Sequence, residues 1–368
     1  MVSRALGKAV VELLVVAVEL ATVLVLFSGC DRAGEGGKST ATKTSRPRVA
    51  YVTNGIDSFW VIAEAGAKAG GEKYNAEVEV HMPAQGVADQ KRIIEDLLTR
   101  GVDGIAISPI DAENETPLIN DAARRTRVIT QDSDAPNSNR LCFIGPDNYE
   151  AGRMVGQLVK EAMPNGGKVM IFVGRLEQDN ARLRRQGVID ELLERSHDRT
   201  RFDPVGADLA GGKYSVLGTL TDSFDFNRAK GMAEESIAKY PDLGCMVGLF
   251  AYNAPMCLEA LKHAGKLGQI KVVSFDEQAE TLQAIKDGHC QGTVVQNPYV
   301  YGTESVRVLA ALARGDQSVI PANKYIDVPA RQIRKDNVDP FWVDLKQKVG
   351  NKAATKPDAS QPAAPVTK

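Results

Sequence analysis

Six polar residues stand directly behind short apolar runs of β type. They are Asn54 after RVAYVT, Ser108 after DGIAI, Asp132 after VITQ, Asn253 after GLFAY, Asp276 after VVSF and Gln296 after GTVV. Most are carboxylates or amides, which hold a hydroxyl group by accepting or donating hydrogen bonds. Arg184 adds a fork of donors from the run NARLRRQG. Taken singly, an Asp or Asn behind a strand reads as an ordinary helix cap or turn residue. Two neighbouring aromatics, Phe59 and Trp60, follow the first run and taken alone read as core. Beside the polar set they read as one wall of a binding site. That combination suits a small polyhydroxylated ring. Amides, carboxylates and a guanidinium pair with vicinal hydroxyls, and flat rings cover its C–H faces. Such a site is selective, since a missing hydroxyl strands a desolvated partner at about 1–3 kcal/mol.

The elements that would place these residues alternate in type. Val49, Tyr51 and Thr53 give a strand period, Asn54-Gly55 a turn, and Ser58 a helix N-cap for a helix to about Gly70. The pattern continues with a strand at 76–82, a helix at 88–99, a strand at 103–108 closed by Pro109, a helix at 115–125 and a strand at 127–131. A short strand at 141–144 precedes a second such series: helix 148–162, strand 168–173, helix 180–194, a strand near 204–208, and helix 227–239. Strand 245–250, helix 254–263, strand 270–275, strand 292–296, helix 300–314, strand 324–327 and a helix near 340–348 complete it. Alternating β and α units with short loops predict parallel, doubly wound sheets, and two series in succession predict two similar α/β lobes. Ligands in such sheets sit beyond the C-terminal strand ends.

The chain has 368 residues, which allows two or three domains, and its net charge of −2 carries no basic excess that would point to nucleic acid. Aromatics make up only 6% of it, so Phe224 and Phe226 are as noticeable as Phe59 and Trp60. Residues 1–30 read as a secretory signal: Arg4 and Lys8, an apolar run, then Ser28-Gly29-Cys30. Residues 31–46 read as a flexible tether and 349–368 as a disordered tail. Cys142, Cys245, Cys257 and Cys290 match no zinc or redox spacing and read as buried thiols, with one disulfide left open.

Asp132 and Asp276 admit a second role as the acid and base of a carbohydrate-active enzyme. Against it, no His follows any of the strands. No Gly-x-Gly-x-x-Gly or phosphate loop appears, and Asn165-Gly166-Gly167 precedes a strand, as a helix stop does. The expectation is a binding protein without catalysis, cofactor or metal. Arg182 and Arg185 are placed on a solvated helix face, while Arg184 shares a face with Asn180.

From about Arg48 to Lys348 the chain resembles the periplasmic ribose-binding protein group, the solute-binding components of sugar ABC transporters. Asp57-Ser58-Phe59-Trp60 matches the family's Asn-Pro-aromatic-aromatic segment, whose aromatics sandwich the sugar. Asp132 matches its hydroxyl-binding aspartate, Arg184 its sugar-gripping arginine, Phe226 in DFNRAKG the aromatic of the opposing lobe, and Asn253 a binding asparagine. Asp276 and Gln296 complete the set. Ser133 stands where ribose binders carry an arginine, and Asn54 and Ser108 fall at positions of variable role. The pocket therefore need not prefer ribose.

The resemblance implies a type 1 periplasmic binding protein with two Rossmann-like lobes. The N-lobe is expected at 47–146 with 297–325 and the C-lobe at 147–296 with 326–348. Crossovers would lie near Gly145-Pro146, Asn297-Pro298 and Tyr325-Ile326. It further implies capture of a pentose or related monosaccharide by hinge closure, delivery to a membrane permease, and an extracytoplasmic monomer tethered by lipid on Cys30. The alternative is a binding protein that feeds a chemoreceptor or sensor kinase. A repressor of related fold would need a DNA-binding unit before Arg48, where the signal and tether stand.

Overall fold

β1 (Arg48–Val52) buries every residue but its first. Val49 and Tyr51 face one hydrophobic cluster, and Ala50 and Val52 face a second on the other side. A strand covered on both faces belongs in a parallel sheet wrapped by helices, and such strands read as almost continuous apolar runs. The computed structural model describes residues 46–349. The expected signal with Cys30, nearly all of the expected tether, and the tail beyond residue 349 lie outside the described residues.

The first sheet runs β2 (Glu77–His81), β1, β3 (Gly104–Ile107), β4 (Arg127–Gln131), β5 (Phe143–Gly145) and β12 (Tyr325–Asp327) across its width, all parallel. α1 (Ser58–Lys73), α2 (Val87–Arg100), α3 (Thr116–Arg125) and α9 (Pro298–Ala313) cover it. Asp57, and not Ser58, caps α1: its carboxylate accepts from the Phe59 backbone N–H. That fixes where Phe59 and Trp60 leave the first turn.

The second sheet has the order β7 (Leu209–Gly211), β8 (Tyr214–Thr221), β6 (Gly167–Val173), β9 (Leu243–Gly248), β10 (Lys271–Phe275), β11 (Gly292–Val295) and β13 (Arg331–Ile333). Only its edge strands β7 and β13 are antiparallel. α4 (Asn148–Ala162) and α5 (Asp179–Leu192) line one face, opposite α6 (Phe226–Lys239), α7 (Asn253–His263), α8 (Ala279–Asp287) and α10 (Val338–Val349).

Several elements depart from the sequence expectation. No strand occupies 204–208; the strands that follow are β7 and then β8, the neighbour of β6 in the sheet. Its register shifts against β6 between Val169 and Met170, so the alternation of YSVLGTLT breaks at Leu217-Gly218. The helix α8 and the edge strand β13 were not expected. The chain passes between sheets at Pro146-Asp147, at Gln296-Asn297 and after β12. Tyr325–Asp327 pairs with β5, so the third passage lies at 328–330 and not at Tyr325-Ile326. The four cysteines in the described residues are free and buried.

The first helices of the two series are seated alike. α4 follows a crossing and lies so close to α5 that a Cβ on Gly152 would meet the Arg184 carbonyl oxygen at 2.1 Å. α9 also follows a crossing, and a Cβ on Gly66 of α1 would meet the Tyr299 carbonyl oxygen at 1.9 Å. Glycine is needed where backbones approach this closely. In urea unfolding, Gly152→Ala is expected to lose about 1–3 kcal/mol by overpacking. Gly231→Ala, with open space within 4 Å on α6, is expected to gain roughly 0.5–1 kcal/mol. Equal effects from the two changes would refute the close-approach argument.

Candidate ligand-binding site

The C-terminal ends of both sheets face one cavity of about 310 Å³, at the small end of the range for ligand pockets. Nine of the twelve expected residues line it: Asn54, Asp57, Phe59, Trp60, Asp132, Arg184, Phe226, Asp276 and Gln296. Ser108, Ser133 and Asn253 do not.

Asp132 and Asp276 occupy equivalent places, behind the fourth parallel strand of each lobe (β4 and β10). Both adopt left-handed backbone, with φ of 59° and 66°. Asp tolerates this conformation better than most residues, and such strain collects at functional sites. Here it turns each carboxylate out of its strand and over the cleft. Asp132 accepts from Ser108 Oγ at 3.1 Å and from Asn180 Nδ2 at 3.0 Å, both on its Oδ2. Ser108 Oγ in turn accepts from Asn54 Nδ2 at 3.1 Å, and Asn54 Oδ1 accepts from the Trp60 indole at 3.1 Å. Ser108 is therefore a relay below the cavity floor that joins the aromatic wall to the carboxylate.

Arg184 is 1% exposed. Its Nε donates to Asn148 Oδ1 at 2.8 Å, and its guanidinium lies 4.0 Å from the centre of the Phe275 ring. Its Nη2 stands 3.6 Å from Asp132 Oδ1 and has no hydrogen-bond partner. Across the cavity, Gln296 donates to Asp276 Oδ1 at 2.8 Å and accepts from the Tyr301 hydroxyl at 3.0 Å. Asp57 Oδ2 accepts from Gln278 at 3.3 Å, a bond from one lobe to the other.

Burial dominates the ionisation of these acids. It lifts Asp132 above the ordinary carboxylate range, against the Arg184 charge and the donors of Ser108 and Asn180. Asp57 is raised by burial as well. Asp276 is pushed up to about 7, by burial first, with Arg184 and Gln296 opposing and the charges of Asp132 and Asp57 adding. Two buried acids and the partly buried Asp57 around one buried arginine favour a neutral ligand that brings its own donors. Among the described residues no group of His, Cys, Asp or Glu could hold a metal ion.

Two aromatic walls enclose the site. Phe59 and Trp60 meet edge to face, 4.8 Å between centres. On the other lobe Phe224 stacks on Phe250 at 5.4 Å and Phe226 on Tyr252 at 4.6 Å. Asn253 corrects an expectation here: it is fully buried, accepts from the Phe250 backbone N–H at 3.0 Å and donates to Asp222 Oδ2 at 2.8 Å. Asp222, pushed up to about 6 by burial, also accepts from the Tyr252 hydroxyl. Asn253 thus holds the turn whose aromatics face the cavity. Ser133 is buried with an unpartnered hydroxyl and lies outside the lining. Arg185 is not on a solvated face either; it is 1% exposed and donates to Thr219 Oγ1, Asp203 O and Pro204 O.

Residues the sequence reading did not assign to the site include Asn180, Phe250, Tyr252, Arg175 and Gln178. Asn180 was legible, since it shares a helix face with Arg184. Phe250 and Tyr252 stand just before Asn253, at the end of β9, where strand-end position alone marks a cleft residue.

The model of the family described as periplasmic binding protein domain matches residues 49–317. A D-ribose/D-allose-binding protein of Pseudomonas aeruginosa is 26% identical over 291 residues, covering 74% of this chain and 84% of the relative. A xylitol-binding protein of Mycolicibacterium smegmatis is 25% identical over 309 residues, 83% of this chain and 82% of that one. Among solved structures, an ABC transporter solute-binding protein of Burkholderia graminis in complex with D-arabinose superposes with a TM-score of 0.71. It is 27% identical and covers 80% of this chain and 96% of its own.

A raised carboxyl makes folding prefer the protonated form. The stability Asp276 contributes is present below the unfolded value near 4 and is lost as pH rises through about 7. Asp276→Asn removes that dependence. In urea unfolding of the ligand-free chain, its advantage over wild type should grow from pH 5 to pH 8 by on the order of a few kcal/mol. The same difference at both pH values would refute a buried, proton-holding Asp276.

Proposed function

The chain belongs to the periplasmic binding protein domain family, whose model matches residues 49–317, and on that premise we propose that it captures one monosaccharide for a sugar ABC transporter. The observation that carries this reading is the convergence, from two lobes, of Asp132, Asp276 and the unpartnered Nη2 of Arg184 between two aromatic walls. A cyclic polyol has what this set lacks. Its hydroxyls donate to the carboxylates and accept from the guanidinium, and its C–H faces cover Trp60 and the opposing rings. A pentose or a related sugar fits the cavity and its neutral balance. Similarity to proteins named for ribose, allose and xylitol binding supports the same class.

Capture proceeds by closure. The lobes meet through Asn180 on Asp132, Gln278 on Asp57 and the Ala112 backbone N–H on the Glu177 carbonyl at 3.3 Å. Bending at the three passages between sheets opens these bonds and admits solvent and sugar; closing expels water and strengthens the polar contacts inside. No bond in the sugar is made or broken. The closed form is then presented to the permease. An extracytoplasmic location follows from the family; we add that the protein acts as a monomer tethered through lipid on Cys30.

Calorimetric titration of the chain with a panel of monosaccharides, cyclitols and nucleosides should give one-to-one binding of a monosaccharide, with no turnover. Asp132→Ala should weaken it about 100-fold or more, since a charged hydrogen-bond acceptor is removed, while the melting temperature of the ligand-free protein does not fall. Silence across the panel would overturn the ligand class. A large loss of ligand-free stability in Asp132→Ala would make that residue structural.

A further inference from the structure

Gln178 stands at the N-terminus of α5 in the position of a cap, yet its side chain makes no capping hydrogen bond. It is 1% exposed, lines the cavity, and has no hydrogen-bond partner on either its amide nitrogen or its amide oxygen. Its neighbours are both engaged: Asp179 pairs with Arg182 at 2.6 Å, and Asn180 donates to Asp132. A buried primary amide with neither end satisfied is costly and calls for a partner. That partner must both donate and accept, as a hydroxyl does.

Where Gln178 stands says which hydroxyl. Asp132, Asp276 and Gln296 rise from strand ends, but Gln178 belongs to the loop between β6 and α5. On that loop Arg175 lies 5.3 Å from the centre of the Phe224 ring and has no carboxylate partner among the described residues. Its Nη1 comes within 3.7 Å of where a Cβ on Gly86 of the opposite lobe would be. The loop also supplies the Glu177 carbonyl that receives the Ala112 N–H across the cleft. Gln178 thus rises from a loop and not from a strand end, and that loop sets Arg175 over the Phe224 ring, an aromatic face suited to a CH₂ group.

We infer that Gln178 is a specificity-determining residue whose amide receives the hydroxyl of an exocyclic hydroxymethyl arm, so that the cavity selects aldohexoses over the pentoses that lack the arm. The inference rests on the monosaccharide reading above.

Matched sugar pairs that differ only by this arm give the test: D-ribose with D-allose, D-xylose with D-glucose, and L-arabinose with D-galactose. The full chain is titrated with each by calorimetry, as are its Gln178→Leu and Gln178→Glu variants. In the pair that binds, wild type is expected to hold the hexose about tenfold more tightly than the pentose. Gln178→Leu should cut the hexose-to-pentose ratio about tenfold, and Gln178→Glu, which keeps an acceptor, should cut it less. Melting curves of the ligand-free variants identify any that fail to fold. A wild type that binds the pentose as well as or better than the hexose overturns the inference and leaves the sugar reading standing. So do variants that weaken both members equally. If none of these sugars binds wild type, the monosaccharide reading fails and this inference falls with it.

Discussion

Asp132 and Arg184 approach each other from opposite lobes, almost wholly out of water, and stop 3.6 Å apart with Arg184 Nη2 unpartnered. Desolvating two charges is expensive, and a pair held short of a hydrogen bond recovers little of that cost. The molecule accepts this arrangement because each charge is secured on its far side. Asn148 and the Phe275 ring hold the guanidinium; Ser108 and Asn180 hold the carboxylate. The guanidinium whose Nη2 remains unsatisfied belongs to a residue of the cavity lining. An incompletely paired buried network is poor for stability alone and well suited to recognising a ligand that completes it.

The two lobes reach this point by the same construction with different side chains. In each, a left-handed aspartate follows the fourth parallel strand. In each, the first helix is pressed against a helix that follows a crossing, at a glycine. The N-lobe uses its first helix to present Phe59 and Trp60, and the C-lobe uses the corresponding helix to present Asn180 and Arg184. Duplicated backbone with divergent side chains gives a cleft to which each lobe brings aromatic rings and a carboxylate, and to which the second alone brings the buried arginine. Because the groups come from both halves, the site is complete only while the lobes meet.

The alternating strands and helices were legible because strands buried on both faces are nearly unbroken apolar runs and helices such as α2, α3 and α4 carry a clear 3.6 period. The polar residues behind those runs were legible for the same reason: a strand end is a position in space as well as in sequence. Legibility ended where packing overrides the local pattern. A bulge at Leu217 erased the period of β8, and β13 is too short to show one. Asn253 reads as a cleft residue because nothing in the sequence reveals that Asp222, thirty-one positions earlier, claims its amide. Arg185 reads as solvated because its partners, two backbone carbonyls and Thr219, lie in a loop and a strand with no motif.

A crystal structure of the chain with its bound monosaccharide tests the central claim most directly. One sugar ring is expected between Trp60 and the aromatics of the C-lobe, with a hydroxyl within hydrogen-bond distance of Arg184 Nη2 and others on Asp132 and Asp276. A sugar seated elsewhere, or one in this cavity that leaves Arg184 Nη2 unpartnered, would contradict it.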